Sequence, residues 1–180
     1  RGVEGKIKTI EFCRKNKIPF LGLCYGLQMA VIEFARHVGE LKNANTTEVE
    51  PRTRHPVIHT MPEQIENIDK KQLGGTMRLG SSVCHVRKAT QAFAAYQRHE
   101  VSERHRHRYE FNDAYTSQFE KNGLLLAGRS VVENLVEIIE LPKSAHPFFV
   151  GTQYHPEYRS RPLRPHPIFL SYIQACSHGI

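Results

Sequence analysis

No two of the four cysteines form a C-x-x-C pair, so neither a zinc ribbon nor a dithiol redox centre is indicated. Cys13, Cys24, Cys84 and Cys176 are scattered, which suits a reducing, cytoplasmic setting. No apolar run approaches the length of a membrane span, and no membrane contact is expected. There is no G-x-x-x-x-G-K-[ST], hence no loop of that kind to cradle the phosphates of ATP. Internal repeats and low-complexity stretches are missing as well. An initiating methionine and a signal-peptide pattern are also missing: the chain opens at Arg1 and is expected to be a fragment of something longer. Acidic residues are outnumbered, 18 against 25 lysines and arginines, for a net charge of +7 with eleven histidines besides. Such a balance suits nucleic acid or an anionic substrate. Much of it is local, however, in Arg104, Arg106 and Arg108 and in Arg159, Arg161 and Arg164, and a solvated basic face is the commoner explanation.

What is present is an ordinary soluble composition, 39% hydrophobic and 24% charged over 180 residues, enough for one domain with a real core. The chain is organised around Pro19-Phe20-Leu21-Gly22-Leu23-Cys24-Tyr25-Gly26-Leu27-Gln28. Residues 19–23 form a short apolar run that reads as a buried strand. Residues 27–38 read as a helix, which Gly39 ends. Between them stands one cysteine with a glycine two places before and two after. A strand that turns abruptly into a helix forces the turn residue into an uncommon backbone conformation, and flanking glycines remove Cβ atoms that would clash there. This is the geometry of the G-x-S-x-G nucleophile elbow, with sulfur for oxygen. The N-terminus of the following helix is expected to favour thiolate over thiol. The competing reading is a small buried cysteine in a strand-to-helix turn.

In chain order, residues 6–15 read as a helix, with Ile7, Ile10 and Cys13 on one face and Glu11 and Lys15 paired. Residues 43–60 read mostly as loop, and 61–72 are ambiguous. Gly74-Gly75 marks a turn before strands at 76–79 and 83–86, which suggest a hairpin. Residues 90–96 read as a short helix. If residues 103–110 are extended, Arg104, Arg106 and Arg108 share one face and His105 and His107 the other. Asn112-Asp113 caps a helix to about residue 121. Residues 124–129 and 135–141 suit an antiparallel hairpin. Residues 148–153 form another buried strand, and 165–177 a closing helix. The expected fold is α/β: a mostly parallel central sheet flanked by helices, an antiparallel hairpin region, and N-terminal strands missing.

A thiolate nucleophile needs a base, and the base needs an orienting group. His155 and Glu157 lie two apart just past the last strand and project to one side of an extended chain. Glu157 is then placed to hold one imidazole nitrogen while the other faces Cys24. If the strands at Phe20 and Phe148 lie parallel in one sheet, their carboxyl ends open on the same crevice. His55, His59, His105 and His107 are the other candidate bases.

These residues carry a family resemblance. Gly22-Leu23-Cys24-Tyr25-Gly26 followed by Gln28, with the distant His155-Pro156-Glu157, resembles the class I glutamine amidotransferases. Arg1-Gly2-Val3-Glu4-Gly5-Lys6, Gly74-Gly75-Thr76-Met77-Arg78-Leu79-Gly80, the stretch 103–110 and Val136-Glu137-Ile138-Ile139-Glu140 are similar, more narrowly, to the glutaminase domains of the CTP synthase family. The similarity spans residues 1–180. It implies a glutaminase domain cut at its N-terminus, its synthetase domain absent. It also implies hydrolysis of L-glutamine to glutamate and ammonia through a γ-glutamyl thioester, with the ammonia used for ATP-dependent amination of UTP to CTP. By the resemblance Cys24 is the nucleophile, His155 the acid and base, and Glu157 its orienting group. The backbone N–H of Tyr25 is one oxyanion donor. Tyr25, Gly26, Leu27 and Gln28 line the glutamine site, where Arg108 takes the α-carboxylate and Glu48 the α-ammonium. No cofactor is implied in this domain. ATP, UTP and Mg belong to the absent synthetase domain, the full-length protein is implied to be a homotetramer, and no nucleic acid partner is implied.

Two departures stand out. The family's second oxyanion donor lies on a glycine-rich loop upstream of Arg1, which this chain does not include; removing such a donor costs about a hundred- to thousandfold in rate. Tyr25 replaces the usual aliphatic residue. The rival readings are the glutaminase of another amidotransferase, such as that of GMP synthesis, and a basic nucleic-acid-binding module built on the Arg/His strand.

Overall fold

The computed structural model describes residues 2–60 and 77–177. The Gly74-Gly75 turn, Thr76 and the ambiguous stretch 61–72 lie outside these residues. Two faces of one mixed sheet each bury a core, and the site sits where that sheet meets a helix.

Helix α1 (Val3–Lys15) buries Ile7 and Ile10, one turn apart, and leaves Glu11 and Lys15 outside in an i, i+4 pair at 2.5 Å. The chain then enters strand β1 (Phe20–Leu23) and turns at once into α2 (Tyr25–His37). Residues 27–35 of α2 are buried without a break, because the helix packs against α1 on one side and the sheet on the other. That run includes Glu33. Its carboxylate is fully buried and is satisfied by a two-pronged bond from Arg14 (2.7 and 2.9 Å) and by His37 at 3.1 Å. A buried carboxylate without such partners would be strongly destabilising.

The rest of the described chain runs β2 (Asn45–Thr46), β3 (Pro56–Thr60), β4 (Arg78–Val86), α3 (Gln91–Tyr96), β5 (Glu100–His107), β6 (Tyr109–Phe111), a 3-10 turn at Asp113–Tyr115, α4 (Thr116–Lys121), β7 (Leu125–Ser130), β8 (Val136–Glu140), β9 (Phe149–Thr152), a 3-10 turn at Pro156–Tyr158, and α5 (Pro167–Ser177). The larger sheet has the order β1-β9-β8-β7-β4-β5; β2, β3 and β6 form a smaller one. The α/β class is as expected, and so is the parallel pairing of β1 with β9, in register from Phe20 opposite Phe149 to Leu23 opposite Thr152. The expected mostly parallel sheet is instead mixed, since every other pairing within it is antiparallel, including the expected β7–β8 hairpin. Strands β8 and β9 are buried on both faces. Ile139 and Phe149 join the core under α1 and α2, while Ile138 and Val150 join the one under α3 and α5.

Two other expectations change, and one is refined. The stretch 43–60 is mostly loop, as expected, but seven of its 18 residues form β2 and β3, and β3 pairs with β6. Val57 and Ile58 are fully buried there, and Pro56 stands at the first strand residue, where its missing N–H is tolerated. The hairpin expected between 76–79 and 83–86 is one continuous strand. Gly80, at φ +92°, bends it without ending it, and Ser81 and Ser82, which lie between the two expected strands, pair with Arg104 and Glu103 of β5. Finally, the arginine face of residues 103–110 holds only for Arg104 and Arg106. Burial alternates strictly along β5, with His105 and His107 inside. Arg108, however, sits in the bend where the chain leaves the larger sheet for the smaller.

Candidate active site

Cys24 occupies the single residue between β1 and α2. Its backbone is at φ +49°, ψ −100°, the uncommon conformation a strand-to-helix elbow imposes. The two flanking glycines serve differently. A Cβ on Gly22 would stand 2.7 Å from the Gly26 carbonyl carbon and 2.8 Å from its oxygen, whereas a Cβ on Gly26 would meet nothing within 4 Å. Only the first glycine is required by backbone contact.

The parallel pairing of β1 with β9 carries past both strands. The Cys24 N–H donates to the Thr152 carbonyl at 2.7 Å, and the next residues of β9's chain are Gln153, Tyr154 and His155. The His155 N–H donates in turn to the Arg104 carbonyl of β5 (2.9 Å), and the Cys24 thiol faces the Arg106 carbonyl at 3.9 Å. The backbone of β5 thus borders both residues. Glu157, at the start of the 3-10 turn, reaches back to His155 Nδ1 at 2.6 Å. His155 Nε2 is buried and has no hydrogen-bond partner among the described residues. A carboxylate on Nδ1 fixes the tautomer and leaves Nε2 for chemistry.

Burial pushes the half-buried Cys24 thiol up to about 11. A hydrogen bond from the Tyr25 N–H pulls it down, but the charges of Glu110, Glu157 and Glu48 add to the burial. The expectation that the N-terminus of α2 favours thiolate is therefore corrected for the free site. Removal from water and three carboxylates outweigh the helix end, and proton removal falls to a neighbouring base.

The remaining expected residues divide. Leu27 and Gln28 are buried in α2, and the Gln28 side chain is committed to the protein, donating to the Tyr109 carbonyl at 2.9 Å and to Gln153 Oε1 at 3.3 Å. It contributes to a site only through its backbone. Tyr25 and Gly26 are half-buried at the elbow. Glu48 is exposed just after β2, near enough for its charge to add to burial in raising the hydroxyls of Tyr25 and Tyr109. Arg108 lies in the bend next to Tyr109. Of the other candidate bases, His105 is buried against His107 (2.9 Å) and Glu137 (3.5 Å). His107 lies 3.0 Å from Glu110.

Sequence reasoning missed two neighbours. Gln153 puts its amide nitrogen 3.7 Å from the Cys24 sulfur, and Tyr158 stacks on the His155 ring. Both signals were at hand. Gln153 is two residues before His155 at a strand end, and Tyr158 is three residues after it across a turn.

With this geometry in place, comparison with known proteins gives a consistent answer. The family model described as "Glutamine amidotransferase class-I" matches residues 1–175. The chain belongs to the class I glutamine amidotransferases. It is 57% identical over 175 residues to the CTP synthase of Caldanaerobacter subterraneus subsp. tengcongensis, covering 97% of this chain and 32% of that protein. Against the CTP synthase of Microcystis aeruginosa it is 52% identical over 179 residues, 99% of this chain and 32% of that one. The glutaminase domain of Trypanosoma brucei CTPS, solved with bound acivicin, superposes with a TM-score of 0.88 at 34% identity, covering 99% of this chain and 67% of that chain. Within its class, then, this is a glutaminase domain of the CTP synthase kind. The chain spans about a third of the length of the curated relatives it matches. A putative GMP synthase protein from Thermoplasma acidophilum shares the fold, at 16% identity and a TM-score of 0.56 over 98% of this chain and 68% of that chain, so the rival in GMP synthesis is the more distant likeness. Among the described residues no helix is long and apolar enough to cross a membrane.

Proposed function

We propose that this domain hydrolyses the side-chain amide of L-glutamine with Cys24 as nucleophile, His155 as acid and base, and Glu157 as the group that orients His155. One observation carries the reading most directly. The Cys24 N–H is bonded to the Thr152 carbonyl, so the elbow cysteine and the His155-Pro156-Glu157 segment come off the ends of adjacent parallel strands.

The steps follow from the groups. His155 Nε2 takes the Cys24 proton, and the sulfur attacks the amide carbon. Negative charge collects on the carbonyl oxygen, where the Tyr25 N–H at the start of α2 is one donor. The imidazolium, held by Glu157 at 2.6 Å, returns the proton to the leaving nitrogen, and ammonia departs from a γ-glutamyl thioester. Water, deprotonated by the same imidazole, cleaves the thioester to glutamate and restores the thiol. Arg108 takes the substrate α-carboxylate and Glu48 its α-ammonium, with Tyr25, Gly26 and the backbone of Leu27 and Gln28 along the side chain. In the whole protein the ammonia aminates UTP at the expense of ATP, with Mg, on a synthetase domain of the same polypeptide, as in a CTP synthase.

The T. brucei relative binds acivicin, a glutamine analogue, and the same probe tests the reading here. Acivicin is expected to modify Cys24 alone and to spare Cys13, Cys84 and Cys176, as read by mass spectrometry of the peptides. Modification spread over all four thiols, or glutamine hydrolysis that survives Cys24→Ala, overturns the assignment.

A further inference from the structure

A fully buried amide stands beside the reactive sulfur, and its orientation is not free. Gln153 follows β9, is 0% exposed, and brings its Nε2 to 3.7 Å from Cys24 Sγ. Either end of an amide is able to face a thiol, so the question is what selects the donor end. The answer lies one residue further back. The Tyr109 carbonyl only accepts, so the Gln28 amide must turn its Nε2 toward it, at 2.9 Å. The second hydrogen of that nitrogen then points at Gln153, 3.3 Å away, and needs an acceptor. Gln153 must therefore offer Oε1 to Gln28, which leaves Nε2 toward the sulfur. A backbone carbonyl in β6 thus fixes the polarity of a relay that ends as a donor at Cys24.

We propose that Gln153 is a positioning residue for the hydrolysis, one that holds the Cys24 sulfur and stabilises its thiolate by an N–H donated from this locked amide. The proposal rests on the reading of Cys24 as nucleophile given above. Its physical basis is differential. A neutral thiol is a weak acceptor, a thiolate a strong one, and a hydrogen bond to a charged atom is roughly twice as strong as one between neutral groups. The donor therefore acts mainly once the proton has left. The thiol form has its own partner, the Arg106 carbonyl at 3.9 Å. The sulfur thus lies between an acceptor that suits S–H and a donor that suits S⁻. The site needs such a donor, since the surrounding carboxylates of Glu110, Glu157 and Glu48 all oppose the negative charge.

The test is the rate of iodoacetamide alkylation at Cys24 against pH in the intact protein, read on the Cys24 peptide, together with kcat and KM for glutamine. Gln153→Met removes the donor at similar volume. Gln153→Glu keeps the shape and replaces the donor with an acceptor. The expected order of Cys24 reactivity on the rising limb of the profile is wild type, then Gln153→Met, then Gln153→Glu. The first step is about tenfold, the loss of one hydrogen bond to a charged group. kcat falls in the same order, while KM stays within about twofold, as expected for an interaction absent from substrate binding. Gln28→Met leaves Gln153 in place but frees its orientation, and gives a smaller shift in the same direction; it decides the matter if the Gln153 variants fail to fold. Superimposable alkylation profiles, or a raised KM with alkylation unchanged, overturn the proposal even where Cys24→Ala abolishes hydrolysis. Hydrolysis that persists in Cys24→Ala removes the nucleophile reading itself, and this proposal with it.

Discussion

Tyr158 lies flat against the His155 imidazole, with ring centroids 4.8 Å apart and planes within 12° of parallel. Glu157 holds that ring at one atom, Nδ1, and a single hydrogen bond leaves the plane free to swing about it. The stack removes that freedom. Tyr158→Ala is expected to lower kcat by about tenfold, the scale on which loss of orientation acts, and Tyr158→Phe to retain most of the activity because the face is kept. A pH–rate profile gives the second readout. In Tyr158→Ala the rate should fall across the whole profile without a matching rise in KM. Equal losses in Ala and Phe would assign the effect to the hydroxyl and not to the stack.

The two elbow glycines provide a sharper test of local geometry. An added methyl at Gly22 would stand within 2.8 Å of the backbone of Gly26, and backbone has nowhere to move in the first turn of a buried helix. Gly22→Ala is therefore expected to cost about 3 kcal/mol, the upper range for overpacking. At Gly26 the same methyl meets nothing, and the residue is already helical. Gly26→Ala is expected to leave the melting temperature unchanged or to raise it slightly, by up to about 1 kcal/mol of stability. Thermal unfolding of the two variants side by side decides this, and equal destabilisation would contradict it.

This difference marks how far the sequence alone reaches. That Cys24 and His155 come to one sheet edge was legible, because each lies at the end of a short apolar run and two such runs suit neighbouring strands. The helices α1, α2 and α5 were legible in the sequence, α1 from the spacing of its apolar residues. What escaped depends on partners distant in the chain. Ser81 and Ser82 look like a gap between two strands until β5 is seen beside them. Residues 56–60 look like loop until β6 pairs with them. The relay from Tyr109 through Gln28 to Gln153 joins three separate elements, and no local pattern announces it. Nor does spacing reveal electrostatics: the α2 N-terminus suggested a thiolate, while burial and three carboxylates set the balance the other way.

Glu48 is predicted to act in two opposed directions. Its charge helps keep the Cys24 thiol protonated, after burial and the charges of Glu110 and Glu157, and in the proposed site it also receives the substrate ammonium. Glu48→Gln should therefore make Cys24 react faster with iodoacetamide below pH 11, while KM for glutamine rises by about tenfold or more, the loss of one charge-assisted bond. A general disturbance of the site would lower both reactivity and affinity. Faster alkylation with KM unchanged would keep the electrostatic part and remove Glu48 from the ammonium pocket.

His105 makes stability depend on pH in a direction set by its burial. Removal from water, followed by the nearby charges of Arg78, His107 and His155, holds its imidazole down to about 2, against 6.5 for the free side chain. Below pH 6.5 the unfolded chain therefore takes up a proton that the folded chain refuses, and stability from this group is lost as pH falls. Glu137, 3.5 Å away and paired with Arg78, works against it. Burial pushes its carboxyl up to about 7, so the folded chain keeps a proton that the unfolded chain releases above 4.5, and its contribution grows as pH falls from 7 toward 4.5. The net curve of the wild type mixes the two. Comparison with His105→Gln separates them, since Glu137 and Arg78 remain in both. The variant is expected to gain on the wild type as pH drops below 6.5, by up to about 2 kcal/mol near pH 5, the full linkage slope over that interval. Urea unfolding at a series of pH values measures this difference. Two stability curves that stay parallel from pH 7 to pH 5 would show that His105 takes its proton in the folded chain, and that the buried cluster beneath β5 is charged.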